Sequence, residues 1–143
     1  MKESKINFYS ENEFQFEQEE SYESWIQRVI ESEGKKLEEI SYIFCDDYYL
    51  LDINIKYLDH DTYTDIISFD YSVGNILQGD IYISTERVEE NAREFNVSFE
   101  EELRRVIIHG VLHLCGYKDK SDEESTLMRL KEEEKLKLFH VEQ

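Results

Sequence analysis

The stretch HGVLHLCGYKD, residues 109–119, constrains the fold more than any other part of this chain. Side chains four residues apart share one face of an α-helix, with Cβ atoms about 5–6 Å apart. His109 and His113 can therefore converge on one ion if this segment is helical. Gly116 permits a positive φ and lets the chain leave the helix, and Asp119 then follows six residues after His113. The spacing predicts a metal site on a helix, with His109, His113 and Asp119 as its ligands.

The same spacing matches the skeleton of the metzincin signature, with aspartate at the position where histidine is usual. In H-E-x-x-H proteases the glutamate after the first histidine is the general base, but Gly110 occupies that position here. Proteolysis is therefore disfavoured. A glycine within a helix costs on the order of 1 kcal/mol against alanine, so we expect a close backbone approach or substrate access at Gly110. In the alternative interpretation, His109 and His113 are ordinary helix residues beside a core and Gly116 is a routine C-cap.

Length and charge limit the remaining function classes. A chain of 143 residues, 40% of them apolar, suits one domain (1–143) with a single core. The chain has no apolar run near the roughly 20 residues that span a bilayer, and its acidic N-terminus does not resemble a signal peptide. We therefore expect a cytoplasmic protein without membrane contacts and with reduced thiols at Cys45 and Cys115. The net charge of −18 argues against nonspecific binding to polyanions.

Periodicity elsewhere in the chain predicts the other helices and strands. Helices are expected at 20–34, after Asp46 or Asp47, at 85–95, at 99–114 and at 122–139, and strands at 38–45, 64–72 and 78–84. Ser98 and Ser121 begin capping-box patterns, and Gly74 suggests a hairpin-like link between the last two strands. The acidic opening is expected to be frayed up to about residue 10. Three or four strands with four or five helices, not in strict βαβ alternation, predict an α+β fold.

Three blocks of the sequence resemble those of a known family. HGVLHLCGY resembles the H-G-x-L-H-L-x-G-Y-D-H signature of the YbeY family, bacterial endoribonucleases and rRNA maturation factors. TDIISF, residues 64–69, resembles the family's T-D-V-L-S-F, and GDIYIS, residues 79–84, resembles its G-D-I-x-I-S. The resemblance covers about residues 50–138, with the three blocks in the family's order and spacing.

This resemblance implies a single α+β domain with a small mixed sheet of about four strands, packed with four to six helices. It also implies one zinc ion and hydrolytic cleavage of single-stranded RNA. The implied role is maturation of the 16S rRNA 3′ end and ribosome quality control, with the rRNA precursor and the ribosome or small-subunit proteins as partners. Carried over by position, the zinc ligands fall on His109, His113 and Asp119.

Two positions depart from the family's pattern. Lys118 and Asp119 stand where Asp-His is usual, so the third ligand becomes a carboxylate. Sites with two histidines and a carboxylate hold catalytic zinc in other proteins, but the added negative charge should make the bound water less acidic and favour harder ions such as Mn²⁺. Leu58 occupies a place where the family often has an arginine after an aromatic residue. The missing phosphate contact is expected from Lys56, Lys118 or Lys120.

Three protein ligands leave a fourth position for water, which is expected to be the catalytic group. Asp65 and Asp80 are candidates for an assisting acid or base. Each has a structural alternative, because Asp65 could cap the entry to a strand and Asp80 could be a turn residue. His140, near the C-terminus, is expected to be an exposed polar residue and not a ligand.

Sixteen basic residues among 34 acidic ones can still form a local patch. Lys118 and Lys120 are expected to contact the substrate, whereas Arg104 and Arg105 are expected to pair with neighbouring glutamates such as Glu100 and Glu101 on a solvated face. Three functions stay open. The leading one is a metal-dependent endoribonuclease acting in rRNA maturation. The others are a metallohydrolase with a non-RNA substrate and a non-catalytic ribosome-assembly factor with a structural metal.

Overall fold

A computed structural model describes residues 5–58 and 63–141, with side chains as far as residue 139. The elements in chain order are β1 (Ile6–Ser10), α1 (Glu19–Ser32), β2 (Lys36–Cys45), α2 (Asp47–Leu58), β3 (Ile66–Asp70), β4 (Ile76–Ser84), α3 (Thr85–Phe95), α4 (Phe99–Leu114) and α5 (Asp122–Val141). The described residues thus form five helices and four strands. The helices and strands that periodicity predicted are all present.

The four strands form one mixed sheet in the order β1-β2-β4-β3. β2 runs parallel to β1 and β4, whereas β3 lies at the edge and pairs with β4 antiparallel. Gly74 lies at the hairpin between β3 and β4 with a φ of 61°, and Val73 and Ile76 exchange backbone hydrogen bonds of 3.0 Å across it. The predicted α+β fold with a small mixed sheet is confirmed.

Strand β1 was missed by the sequence analysis, and the expected fraying up to residue 10 is wrong for Ile6–Ser10. These residues pair in parallel with Ile40–Phe44 of β2. Ile6 is 1% exposed, and the ring of Phe8 stacks on Tyr42 with centroids 5.4 Å apart. The strand is stabilised by residues more than thirty positions away, which local periodicity in a five-residue segment does not reveal.

The main core lies between one face of the sheet and helices α1, α4 and α5. Ile81 and Ile83 of β4 point into it, together with Trp25 of α1, and each such buried side chain contributes about 1.5–3 kcal/mol. The Trp25 indole donates a 2.8 Å hydrogen bond to the carbonyl of Lys135 and so ties α1 to α5. Helix α2 covers the other face of the sheet over a smaller cluster around Leu50. Among the described residues, no helix combines the length and apolarity needed to cross a bilayer.

Helix α4 is placed by a cap at its start and a close approach at its middle. The Ser98 hydroxyl accepts a 3.1 Å hydrogen bond from the Glu101 amide, as the capping pattern predicted. A Cβ at Gly110 would lie 2.9 Å from Cδ1 of Ile81. The expected close backbone approach is therefore confirmed, and the glycine lets α4 lie directly on the sheet.

Candidate metal centre

His109 and His113 lie one turn apart on α4, and Asp119 faces both from the loop that follows. The Asp119 Oδ2 atom is 3.1 Å from His109 Nε2 and 3.5 Å from His113 Nε2. One ligand atom from each residue can be chosen so that all lie within 4.8 Å of one another. Bonds of about 2.0–2.2 Å in a tetrahedral zinc site place ligand atoms roughly 3.3–3.6 Å apart. The two distances from Asp119 lie close to this spacing, and two imidazoles with a carboxylate are donors that a divalent transition metal accepts.

The loop that carries Asp119 is anchored on both sides. On its N-terminal side, the Tyr117 hydroxyl donates a 2.7 Å hydrogen bond to Glu33, the residue that follows α1. On its C-terminal side, Ser121 and Glu124 form a reciprocal capping box, because the Ser121 amide donates to the Glu124 carboxylate at 3.0 Å and the Glu124 amide donates to the Ser121 hydroxyl at 3.1 Å. Asp119 is thus held near the two imidazoles by a short loop with fixed ends.

Glu132 of α5 contacts His109 of α4 and was not predicted from the sequence. Its Oε2 atom lies 2.6 Å from His109 Nδ1, and its side chain is 2% exposed. Glu132 belongs to the charged run KEEEK, residues 131–135, whose pattern indicates a solvated helix face. Nothing in that pattern distinguishes this glutamate from its neighbours.

Arg105 pairs with a neighbouring glutamate as expected, but with Glu102, and the expectation that it lies on a solvated face is wrong. Arg105 is mostly buried, with Nη2 at 2.6 Å from Glu102 Oε2 and Nη1 at 3.3 Å from both carboxylate oxygens of Glu132. Arg104 instead lies over the Phe139 ring, 4.8 Å from its centroid. Arg105 therefore contacts the same carboxylate, that of Glu132, as the candidate metal ligand His109.

Burial lowers the pKa of His113, and the neighbouring His109 adds to that effect while Asp119 opposes it. A histidine side chain must be neutral to bind a metal. The lowered pKa therefore favours the neutral form of His113, which is the form that binds a metal.

His109, His113 and Asp119, here called the triad, line a cleft of about 670 Å³. The cleft is bounded by α2, β3, α4 and the loop that carries Asp119. Asp65 lines this cleft, with Oδ2 at 3.7 Å from Arg105 Nη2. Burial raises the pKa of Asp65 above its ordinary value, and the Arg105 charge opposes that rise. The structure thus brings Asp65 into the same cleft as the metal ligands, and its role as an acid or base stays a prediction.

The Asp80 side chain lies on the face of the sheet opposite to the one that α4 covers. Neighbouring residues of a strand point to opposite faces, and both Gly79 and Ile81 face α4, since a Cβ at Gly79 would meet Leu114 and Ile81 lies against Gly110. Asp80 therefore points away from α4 and is not among the residues that line the cleft. The structure therefore does not bring Asp80 together with His109, His113 and Asp119, and its assistance in catalysis stays a prediction that this geometry does not support.

The two loop lysines differ in position. Lys120 lines the cleft, whereas Lys118 is exposed and does not. Leu58, which stands where the family often has an arginine, lines the cleft. Lys56 pairs with Asp52 at 3.0 Å on the surface of α2. Among described residues that line the cleft, cationic side chains come from Arg105 and Lys120. The His140 side chain lies outside the described residues.

Three potential metal ligands lie on α4 and the loop after it, against a small mixed sheet and open to a cleft. The chain is therefore an α+β protein with an accessible candidate metal site. The chain belongs to the endoribonuclease YbeY family, whose model matches residues 6–140. It is 64% identical over 143 residues to a protein named Endoribonuclease YbeY from Christiangramia forsetii, which covers all of both chains. It is 62% identical over 138 residues to the protein of the same name from Flavobacterium johnsoniae, covering 96% of this chain and 99% of that one.

A solved structure shows the same fold. The solution structure of a protein from Thermotoga maritima matches with a TM-score of 0.66 and 29% sequence identity, covering 96% of this chain and 90% of the other. The family resemblance that the three sequence blocks carried is confirmed.

Proposed function

We propose that this protein is a zinc-dependent endoribonuclease that cleaves single-stranded RNA. The observation that carries the proposal is the convergence of His109, His113 and Asp119 at the wall of an open cleft. Membership of a family named for endoribonuclease activity supports RNA as the substrate. When bound, zinc supplies a Lewis acid that polarises a phosphoryl oxygen and lowers the pKa of water beside it.

The exposure of the three ligands supports a catalytic site. The side chain of His109 is 14% exposed, whereas His113 and Asp119 are 30% and 36% exposed. The site is therefore closed on the His109 side and accessible from the cleft, as a catalytic site with three protein ligands requires. A structural site is closed by a fourth protein ligand, and no such ligand joins the three among the described residues.

Residues around the triad supply the remaining functions in this proposal. Asp65 is the candidate to accept or return a proton, because burial raises its pKa in the direction of neutral pH. Lys120 is the candidate to contact a phosphate at the cleft. Gly110 leaves no side chain to serve as the glutamate base of a peptidase, and the space beside it is filled by Ile66 and Ile81.

The proposed biological substrate is the cytoplasmic precursor of 16S rRNA, cut at its 3′ end in late ribosome maturation and quality control. Affinity for RNA comes chiefly from neutralising phosphates with Lys and Arg, and this chain carries a net charge of −18. Weak intrinsic binding is the expected consequence. Association with the ribosome or with small-subunit proteins would then bring the enzyme to its substrate.

The proposal is tested with protein purified without a polyhistidine tag. Elemental analysis should find about one zinc per chain, and end-labelled single-stranded RNA should be cut internally in a reaction that a chelator stops and added zinc restores. His113→Ala should lose both the metal and the cleavage. Asp80→Asn is the matched control for Asp65→Asn, because Asp80 lies on the opposite sheet face. We expect Asp65→Asn to slow cleavage and Asp80→Asn to leave it unchanged.

Cleavage that survives chelation, or that is unaltered in His113→Ala, would contradict the metal-dependent mechanism. A stoichiometric metal without cleavage of any single-stranded RNA would instead favour a non-catalytic assembly factor. Manganese in place of zinc in the purified protein would correct the identity of the metal and leave the site assignment intact.

A further inference from the structure

We propose that Glu132 is a positioning residue for the metal ligand His109, and that Arg105 holds Glu132 in that role. The inference rests on the proposed metal centre and extends it to helix α5. Glu132 is neither a metal ligand nor a cleft residue. It acts through the imidazole that it contacts.

The contact fixes which nitrogen of His109 faces the metal. A carboxylate only accepts hydrogen bonds, so the tautomer of His109 that satisfies the 2.6 Å contact with Glu132 carries its hydrogen on Nδ1 and donates it. The neutral ring then has its lone pair on Nε2, the atom that lies 3.1 Å from Asp119. A carboxylate behind a metal-ligating histidine orients the ring and raises its basicity as a ligand.

The burial of Glu132 explains why Arg105 is needed. An ionised carboxylate that is 2% exposed pays a large desolvation cost unless a charge of opposite sign lies beside it. Arg105 supplies that charge at 3.3 Å. It lies one turn before His109 on α4, so the arginine and the imidazole contact the same carboxylate from the same helix face.

The distances argue for positioning and against simple helix–helix pairing. The contact to His109 at 2.6 Å is shorter than either contact to Arg105 at 3.3 Å. Arg105 also has a closer carboxylate in Glu102, with its Nη2 at 2.6 Å. An ion pair between α4 and α5 would not require Glu132 to point at Nδ1. The carboxylate is placed for the imidazole, and the guanidinium balances its charge.

The test compares Glu132→Gln and Glu132→Ala with Glu133→Ala, a control that removes the same charge from the exposed neighbouring position. Zinc dissociation constants are measured by chelator competition, the visible spectrum of the cobalt-substituted protein reports the ligand geometry, and urea unfolding of the metal-free protein reports stability. We expect Glu132→Ala to weaken zinc binding about 10- to 100-fold and to change the cobalt spectrum. Glu132→Gln should recover part of the affinity, because its amide oxygen still accepts from Nδ1. Glu133→Ala should bind zinc as the wild type does.

Equal zinc affinity in the wild type and in folded Glu132→Ala would overturn the inference. If Glu132→Ala does not fold, Glu132→Gln decides, and wild-type affinity together with an unchanged cobalt spectrum in that variant would overturn it. A loss of affinity in Glu133→Ala equal to that in Glu132→Ala would also overturn it, since the effect would then be one of general charge. Failure of the wild type to bind any transition metal would overturn the proposed metal centre as well, which separates the two failures.

Discussion

Replacing Gly110 by alanine sets two opposing effects against each other in helix α4. Alanine favours a helix interior by about 1 kcal/mol over glycine. The new Cβ, however, would lie 2.9 Å from Cδ1 and 3.1 Å from Cγ2 of Ile81, and 3.1 Å from Cδ1 of Ile66. Ile81 is fully buried and both of its branches are involved, so one rotation cannot relieve both contacts. Overpacking of a core costs about 1–3 kcal/mol, and we expect a net loss of about 1 kcal/mol.

A double-mutant cycle with Ile81→Val tests this reasoning directly. Valine lacks Cδ1, the atom of the 2.9 Å contact, and Ile81→Val alone should cost about 0.5–1.5 kcal/mol. In that background Gly110→Ala should cost less than in the wild type or become stabilising. The double variant should therefore be more stable than the sum of the two single changes by about 1 kcal/mol, within the range found for residues in contact.

Urea unfolding of the metal-free proteins at neutral pH gives all four free energies. Ala92→Gly, on the buried face of α3, measures in the same protein how much stability is lost when a helical alanine becomes glycine. This loss includes the burial of the Ala92 methyl group as well as the difference in helix propensity. If Gly110→Ala stabilises the wild type by its full helix-propensity gain, or if its effect adds to that of Ile81→Val, then the sheet does not require a glycine at this position.

Three further predictions follow from the site and its surroundings. Gly116 has a φ of 108°, so Gly116→Ala should cost about 1–2 kcal/mol of stability in urea and weaken zinc binding in a chelator competition; unchanged values for both would contradict a required glycine. Burial tends to raise the pKa of Glu33, but hydrogen bonding, first of all from Lys135, outweighs it and leaves that pKa below 4.5. The ionised Glu33 carboxylate therefore stabilises the folded protein fully above about pH 4.5, and this contribution is lost as the pH falls through the folded-state pKa. The free energy of unfolding of Glu33→Gln should therefore fall less on acidification than that of the wild type. Lys120→Ala should raise KM for single-stranded RNA and Lys118→Ala should not, because Lys120 lines the cleft; equal effects would contradict a phosphate contact there.

The parts of the site that are governed by local rules could be predicted from sequence. Helix α4 begins at its serine cap and ends before Gly116 because capping and positive φ depend on a few adjacent residues. The i, i+4 spacing placed His109 and His113 on one face for the same local reason. Asp119 followed from the spacing of the metzincin-like signature, which places a third ligand six residues after the second histidine.

Asp80 shows where local reasoning ends. Alternation along β4 does place Asp80 and Ile81 on opposite faces, and this much was available from the sequence. Which face α4 covers was not available, because it depends on the packing of Gly110 against Ile81 across almost thirty residues. Strand β1 was missed for a related reason, since its pairing with β2 is equally non-local.

Glu132 marks the same limit more sharply, because its neighbours Glu133 and Glu134 have the same side chain and the same charge. The residue that lies under His109 is selected by the rotation of α5 against α4, which is set by apolar contacts such as that of Met128 with the main core. Once α5 is docked, a glutamate at 132 is buried with Arg105 and His109, and those at 133 and 134 remain exposed. The charge run therefore acquires a specific role only through the helix packing, and the metal ligand on α4 depends on a carboxylate whose position is fixed by the core.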